Sequence, residues 1–221
     1  MEQALSCIPD IVVSDVMMPI MNGITMCKML KEDVRTSHIP IILLTAKDSL
    51  QDKEEGYQVG ADSYLTKPFS ATLLHSRINN LLESRKRLAE RLNTNTPHHN
   101  MDEKRALLAD SLNKLDNEFL EKINRLIEDR LSSEKIDIGY LADNMCMSKS
   151  TLYRKMKALT GLSTNEYVRK IKMQYAERLL LEGRYNVSEI AFRVGINSVV
   201  YFRQCFKEEF GVLPSDYLKQ P

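Results

Sequence analysis

The amino-terminal part of the chain alternates short apolar runs with stretches that have helical periodicity. Apolar runs of strand length occupy residues 11–14, 41–44 and 63–65. Amphipathic helices are predicted near residues 24–31, 51–59 and 71–92. Strands that are apolar on both faces and alternate with helices are typical of a doubly wound α/β fold with a parallel sheet. The pattern therefore predicts such a sheet for the first part of the chain.

The carboxyl-terminal part contains one pattern twice. Leu141-Ala142 recurs as Ile190-Ala191 after 49 residues, and the stretch from Ser148 to Gly161 recurs from Ser198 to Gly211 after 50. Each copy predicts two short helices that cross closely at the alanine, with the serine capping the second helix. The apolar residues four apart on each second helix are interpreted as packing residues: Leu152, Met156, Phe202 and Phe206. The second part is therefore predicted to be an all-α domain with two helix-turn-helix motifs.

The second helix of each motif has a polar face that is predicted to meet solvent. In the first copy this face carries Lys149, Ser150, Tyr153, Arg154 and Lys157. In the second copy it carries Ser198, Val199, Tyr201, Gln204 and Lys207. Such side chains can contact base edges and phosphates in a major groove, so both faces are candidate DNA-binding surfaces. A single pattern of this kind also occurs in ordinary helical bundles, but two copies in register favour DNA binding.

Several submotifs agree with a known family in order and spacing. The stretches 148–161, 191–196, 201–207 and 210–217 resemble the AraC-type DNA-binding domain, and the resemblance covers roughly residues 116–219. Cys146 stands where that family often has glycine in the turn, so a left-handed backbone there is expected to carry modest strain. Gln204 stands where an arginine is common, which should change the sequence read. The resemblance implies that the two recognition helices of one chain enter successive major grooves.

Polar residues follow the predicted strands of the first part. Asp15, Thr45 and Lys67 each come at the carboxyl end of an apolar run, the edge at which sites collect in open α/β sheets. The stretches 14–23, 44–46 and 64–69 closely resemble the receiver domain of bacterial response regulators, across about residues 1–88. The resemblance implies that Asp15 accepts a phosphoryl group, while Lys67 and Thr45 each hold one of its oxygens. It also implies that Tyr64 swings inward when Thr45 moves.

A complete receiver of this family has five strands, and this chain begins just before the third. The first strand normally supplies an acidic pair that binds Mg²⁺, and Glu2 and Asp10 lie on the wrong elements to replace it. Asp15 and the backbone carbonyl of Met17 would be the remaining ligands, so the metal site is expected to be incomplete. The sequence is therefore expected to be the carboxyl-terminal piece of a longer polypeptide. The strand at residues 11–14 would have an open edge, which predicts self-association, such as a homodimer.

Length and charge agree with two domains. We predict a partial receiver at residues 1–92, a linker at 93–115 and the DNA-binding domain at 116–221. Residues 136–221 carry thirteen basic and nine acidic side chains. The resulting net positive charge has the sign that suits a polyanion partner. Four scattered cysteines, no long apolar run and no signal segment favour a reducing cytoplasm. The polar stretch around His98-His99 has linker composition rather than the features of a metal site.

The predicted function is that of a two-component transcription regulator. Its expected partners are double-stranded DNA and a sensor histidine kinase. Residues 137–220 resemble the hybrid proteins of Bacteroides-like bacteria, which implies a kinase in the same polypeptide, while a free regulator with a separate kinase stays open. Mg²⁺ is expected as a cofactor only in a complete receiver. The alternative is a phosphotransfer or partner-docking module with an unreactive Asp15 that serves dimer contacts. A metabolic enzyme is not indicated, because the chain has no Gly-rich nucleotide loop and no catalytic triad.

Overall fold

The computed structural model describes residues 2–46, 59–93, 113–132 and 136–217. These residues form two compact units. The first contains the described parts of Met1–Asn93, Asn100–Phe119 and Arg154–Gly161, and the second contains those of Leu120–Tyr153 and Leu162–Pro221. Among the described residues, no helix is both long enough and apolar enough to cross a membrane.

The first unit is built around a parallel sheet. Its elements in chain order are α1 (Glu2–Cys7), β1 (Val12–Asp15), α2 (Gly23–Glu32), β2 (Ile41–Thr45), β3 (Ser63–Thr66) and α3 (Ala71–Asn93). The three strands lie in the order β1-β2-β3, and both neighbouring pairs are parallel. The predicted parallel α/β sheet is therefore confirmed, and the helix predicted at residues 51–59 lies almost wholly outside the described residues.

Burial explains why these apolar runs become strands. Ile41 and Leu43 of β2 are fully buried and belong to one core cluster with Cys27 and Leu30 of α2. Because β2 is covered on both faces, its sequence is continuously apolar rather than alternating. The register places Asp15 beside Leu44 and Thr45 beside Thr66, so the polar residues after the strands meet at one edge of the sheet.

The remaining described residues are helical. The elements are α4 (Lys114–Glu128), α5 (Ile138–Asn144), α6 (Lys149–Thr160), α7 (Thr164–Glu182), α8 (Val187–Arg193), α9 (Val199–Phe210) and α10 (Pro214–Tyr217). The two predicted helix-turn-helix motifs are α5 with α6 and α8 with α9. Ala142 and Ala191, the predicted crossing points, are 1% and 0% exposed. Phe202 and Phe206 are buried in the core of the second motif, as predicted.

The turns of the two motifs have the same backbone geometry. The amide of Met147 donates to the Ala142 carbonyl at 2.9 Å, and 49 residues later the amide of Ile196 donates to the Ala191 carbonyl at 2.9 Å. The residue before each donor is left-handed, with φ of 54° at Cys146 and 66° at Gly195. Glycine adopts this conformation freely, whereas a side chain there costs about 1 kcal/mol. The strain predicted at Cys146 therefore coincides with an observed left-handed residue.

His38 lies just before β2 and is only 3% exposed, and its Nδ1 has no hydrogen-bond partner among the described residues. Burial, assisted by the positive charge of Lys155, lowers the pKa of His38 from 6.5 to about 3. Below pH 6.5 the imidazole of His38 is therefore protonated in the unfolded chain, whereas in the folded chain it stays neutral down to about pH 3. We expect the free energy of unfolding to fall by roughly 2 kcal/mol between pH 7.5 and pH 5 through this residue.

Urea denaturation at both pH values would measure this loss. His38→Gln should remove most of the difference, while His75→Gln, at an exposed position of α3, should leave it unchanged. If the free energy of unfolding depends equally on pH in the wild type and His38→Gln, the pKa of His38 is not lowered by folding.

Candidate functional site

The structure brings Asp15 and Lys67 together at the carboxyl ends of β1 and β3. Oδ2 of Asp15 accepts a very short hydrogen bond from Nζ of Lys67. Oδ1 accepts one from the backbone amide of Met17 at 3.2 Å, in the loop that follows β1. Thr45 ends the strand between them, is 4% exposed, and accepts the amide of Lys67 on its carbonyl at 2.7 Å. The three predicted strand-end residues therefore occupy one small region.

Asp15 is held as a carboxylate. The hydrogen bond from Lys67 and then that from the Met17 amide lower the pKa of Asp15 below its ordinary value of 3.8. Its side chain is still about one third exposed, so a reagent from solvent can approach it. An ionised, accessible carboxylate next to a fixed ammonium can attack an electrophilic phosphorus atom, because the ammonium balances the incoming negative charge.

Tyr64 lies three residues before Lys67. Its side chain is 9% exposed and packs in the core cluster that contains Cys27, Leu30 and Leu43. The ring of Tyr64 is therefore buried in the core of the first unit. Its movement with Thr45 stays a prediction, because a single arrangement is observed.

The described residues around Asp15 offer few ligands for a magnesium ion. Among the described residues, no group of three or more His, Cys, Asp or Glu side chains could hold a metal ion. Mg²⁺ requires six oxygen ligands in near-octahedral geometry, and one oxygen of Asp15 is already paired with Lys67. Asp15 and the carbonyl of Met17 would supply only two of these ligands, and the incomplete site stays a prediction.

The first recognition helix, α6, exposes the predicted face. Ser148 begins it by accepting the amide of Thr151 at 3.1 Å, which is the predicted cap. Within the first unit, the guanidinium of Arg154 donates to the carbonyl oxygens of Cys7, at 2.6 Å, and Ser6, at 3.3 Å. Arg154 must release these carbonyls before it can contact a base. The exposed predicted residues of this helix are Lys149, Ser150, Tyr153, Arg154 and Lys157.

The second recognition helix, α9, exposes most of its predicted face. Ser198 accepts the amide of Tyr201 at 3.3 Å, so its side chain caps the helix. Val199 packs partly against the core cluster, whereas Val200 is 77% exposed. The sequence-based prediction missed Val200. Adjacent residues at the start of a helix point in different directions, so one of the two valines could have been expected to face solvent. Tyr201, Gln204 and Lys207 are exposed as predicted.

Not every basic residue of this region can reach DNA. Lys155, Lys170 and Lys172 are at most 7% exposed. Lys155 pairs with Asp116, and the ammonium of Lys172 donates to the Gly195 carbonyl at 3.4 Å, where it supports the turn of the second motif. Three of the thirteen basic side chains at residues 136–221 are therefore buried, and the count of basic residues overstates the charge that a polyanion would meet.

Two domain families match the chain. Residues 1–79 match the response regulator receiver domain, and residues 141–220 match a helix-turn-helix domain of the AraC type. Neither of these domains is an enzyme. The predicted resemblance of each part is thereby confirmed.

Relatives carry one or both parts. Histidine kinase P4 of Formosa agariphila is 37% identical over 210 residues, which cover 95% of this chain and 15% of that protein. The heme response regulator HssR of Staphylococcus saprophyticus is 50% identical over 74 residues, 34% of this chain and 32% of that protein. The C-terminal domain of AraT, a response regulator from Geobacillus stearothermophilus, is 30% identical, with a TM-score of 0.42 over 46% of this chain and 84% of that chain. The chain thus spans 15% and 32% of the lengths of the first two proteins.

Proposed function

We propose that this chain, a two-component transcription regulator that joins a receiver domain to an AraC-type helix-turn-helix DNA-binding domain, binds specific DNA sequences under the control of phosphorylation at Asp15. The pairing of the Asp15 carboxylate with Lys67 at the strand ends carries the phosphorylation part of this proposal. A carboxylate and an ammonium in contact, accessible from solvent, suit phosphoryl transfer.

In the proposed reaction, an oxygen of Asp15 attacks the phosphorus atom of a phosphohistidine on a sensor kinase. The new O–P bond forms as the P–N bond breaks, and the electron pair of that bond returns to the imidazole nitrogen. Lys67 then pairs with a phosphoryl oxygen, and the hydroxyl of Thr45 donates to another. The product is an acyl phosphate whose charge these two groups stabilise. In that state the side chain of Tyr64 is proposed to take its inward position as Thr45 moves.

The phosphoryl donor is proposed to be a sensor histidine kinase. The similarity of nearly the whole chain to a part of a histidine kinase supports a kinase within the same polypeptide. The alternative of a free regulator served by a separate kinase involves the same chemistry at Asp15.

The exposed faces of α6 and α9 are proposed to read DNA. Arg154 projects from the middle of α6 and can form a bidentate pair with guanine, and Gln204 occupies the equivalent position of α9 and can pair with adenine. Lys157 and Lys207, one turn later on each helix, are proposed phosphate contacts. Phosphate contacts strengthen binding to every sequence, whereas base contacts distinguish sequences.

We expect Arg154→Ala to weaken binding to the selected sequence by about 1 to 3 kcal/mol and to relax preference at one base pair. Lys157→Ala should weaken binding to all sequences alike and reduce the salt slope by about one unit. Selection from a random DNA pool, followed by affinity measurements at several salt concentrations, tests both expectations.

Arg178→Ala, at an exposed arginine of α7 outside both recognition helices, is the matched control and should change neither property. If the wild-type chain selects no sequence from the pool, the proposed DNA readout is wrong. Equal losses on selected and random DNA for Arg154→Ala would remove the base contact assigned to it.

A further inference from the structure

Gln204 of α9 has an internal partner one turn along its helix. Its Nε2 donates to Oε1 of Glu208 at 3.1 Å. The first motif has no such partner, because the residues 50 positions earlier are Arg154 and Ala158. The two copies therefore differ in chemistry at the same place: an arginine followed by a small apolar residue in α6, and a glutamine held by a carboxylate in α9.

A carboxylate on the solvent face of a recognition helix is unfavourable beside DNA, because the phosphates repel it. Arg169 of α7 compensates this charge, with its Nη1 at 3.7 Å from Oε2 of Glu208. The positive charge of Arg169 also acts on the phenol of Tyr201, another predicted DNA contact. Both side chains of this ion pair are about half exposed. Their positions are therefore set by the packing of α7 against α9 rather than by burial of the pair.

The connecting helix α7 is fixed against α9 by a second contact in the same register. Lys170 Nζ lies 3.9 Å from Oε1 of Glu209, and these side chains are 8% and 21% exposed. Consecutive residues of α7 therefore face consecutive residues of α9. Arg169 therefore faces Glu208 from a helix rather than from a loop.

We propose that Glu208 and Arg169 are specificity-determining positioning residues: Glu208 fixes the amide of Gln204 for base readout, and Arg169 neutralises Glu208. This inference rests on the proposed DNA readout and deepens it. With one Nε2 hydrogen donated to Glu208, the amide keeps its other hydrogen and its carbonyl oxygen for a base. Those two groups match N7 and the N6 amino group of adenine.

The two residues should have separable effects. Glu208→Ala should reduce the preference at the base contacted by Gln204 by roughly five-fold, the worth of one hydrogen bond, while binding to random DNA is unchanged or stronger. Glu208→Gln keeps an acceptor for the Gln204 amide and should retain most of the preference. Arg169→Ala leaves the carboxylate uncompensated, so affinity for all sequences should fall, most strongly at low salt.

Selection from a random DNA pool and affinity measurements on the wild type, these three variants and the double variant Arg169→Ala/Glu208→Ala test the proposal. The double variant should regain the affinity for random DNA but not the base preference. In the DNA-free protein, nuclear magnetic resonance should show a restricted Gln204 side-chain amide that becomes mobile in Glu208→Ala but not in Glu208→Gln.

Three results would overturn the inference. The first is an unchanged base preference in Glu208→Ala when the wild type does select a sequence, which leaves the proposed DNA readout intact. The second is a Gln204 amide with the same mobility in the wild type and Glu208→Ala. The third is a wild type that selects no sequence, which removes the proposed function and this inference together.

Discussion

Replacing Asp15 with asparagine is expected to eliminate the incorporation of phosphate from radiolabelled acetyl phosphate into the intact gene product. The amide of asparagine is a poor nucleophile, whereas the Asp15 carboxylate is kept ionised by Lys67 and by the amide of Met17. Labelling should therefore fall to background. The label of the wild type should be released by hydroxylamine, which cleaves acyl phosphates and leaves phosphoserine intact.

Asp10→Asn is the matched control, because Asp10 lies just before the opposite end of β1 and is exposed. This variant should label as fast as the wild type. Lys67→Ala should reduce labelling without eliminating it, because the nucleophile remains while one stabilising charge is lost. Labelling that persists in Asp15→Asn would place the acceptor elsewhere and would favour a docking module with an unreactive Asp15.

The repeated and periodic features of this fold could be predicted from the sequence. The 49- and 50-residue spacing predicted two motifs, and their turns carry the same hydrogen bonds at Met147 and Ile196. The apolar runs predicted the three parallel strands, and so placed Asp15 and Lys67 at one edge. These features depend on local periodicity and on rules of chain connection, which a single sequence contains.

The partners of charged residues could not be predicted in the same way. A lysine in an amphipathic helix is normally solvated, yet Lys155 is fully buried because a carboxylate 39 residues earlier meets it. The engagement of Arg154 by the carbonyls of Ser6 and Cys7 likewise joins residues almost 150 positions apart. Such contacts depend on how elements pack, and helical periodicity carries no information about them.

The same limit applied to the two recognition faces. The spacing of exposed positions gave Gln204, but Glu208 reads in the sequence as one more solvated charge. The structure places Arg169 of the connecting helix beside Glu208, so this helix borders the proposed DNA-binding surface. The sequence showed that Gln204 replaces an arginine common in the family, but it did not show the hydrogen bond from Gln204 to Glu208.

The buried ion pair between α4 and α6 should contribute strongly to the stability of the region around it. Lys155 of α6 and Asp116 of α4 form a very short ion pair at 0% and 1% side-chain exposure, and the ammonium also lies 4.9 Å from the centre of the Phe119 ring. Removing one partner of a buried pair leaves an uncompensated charge. We therefore expect Asp116→Ala to lower the free energy of unfolding by about 3 to 5 kcal/mol.

The sign of the pH dependence follows from the lysine. Burial lowers the pKa of Lys155 below its ordinary value of 10.5, although Asp116 opposes this effect. Protonation thus favours the unfolded chain, and this preference should be stronger once Asp116 is removed. The deficit of Asp116→Ala should therefore shrink as pH rises above 7, until Lys155 of the folded wild type also loses its proton.

Urea denaturation followed by circular dichroism measures these differences. Glu118→Ala is the matched control on α4, because Glu118 pairs with Lys114 at 3.8 Å where both side chains are exposed, and it should cost less than about 0.5 kcal/mol. The double variant Asp116→Leu/Lys155→Met replaces both charges with apolar groups beside Phe119, and its stability should return to within about 1 kcal/mol of the wild type. A double variant as unstable as Asp116→Ala would mean that the charges themselves, rather than their mutual compensation, hold α6 against α4.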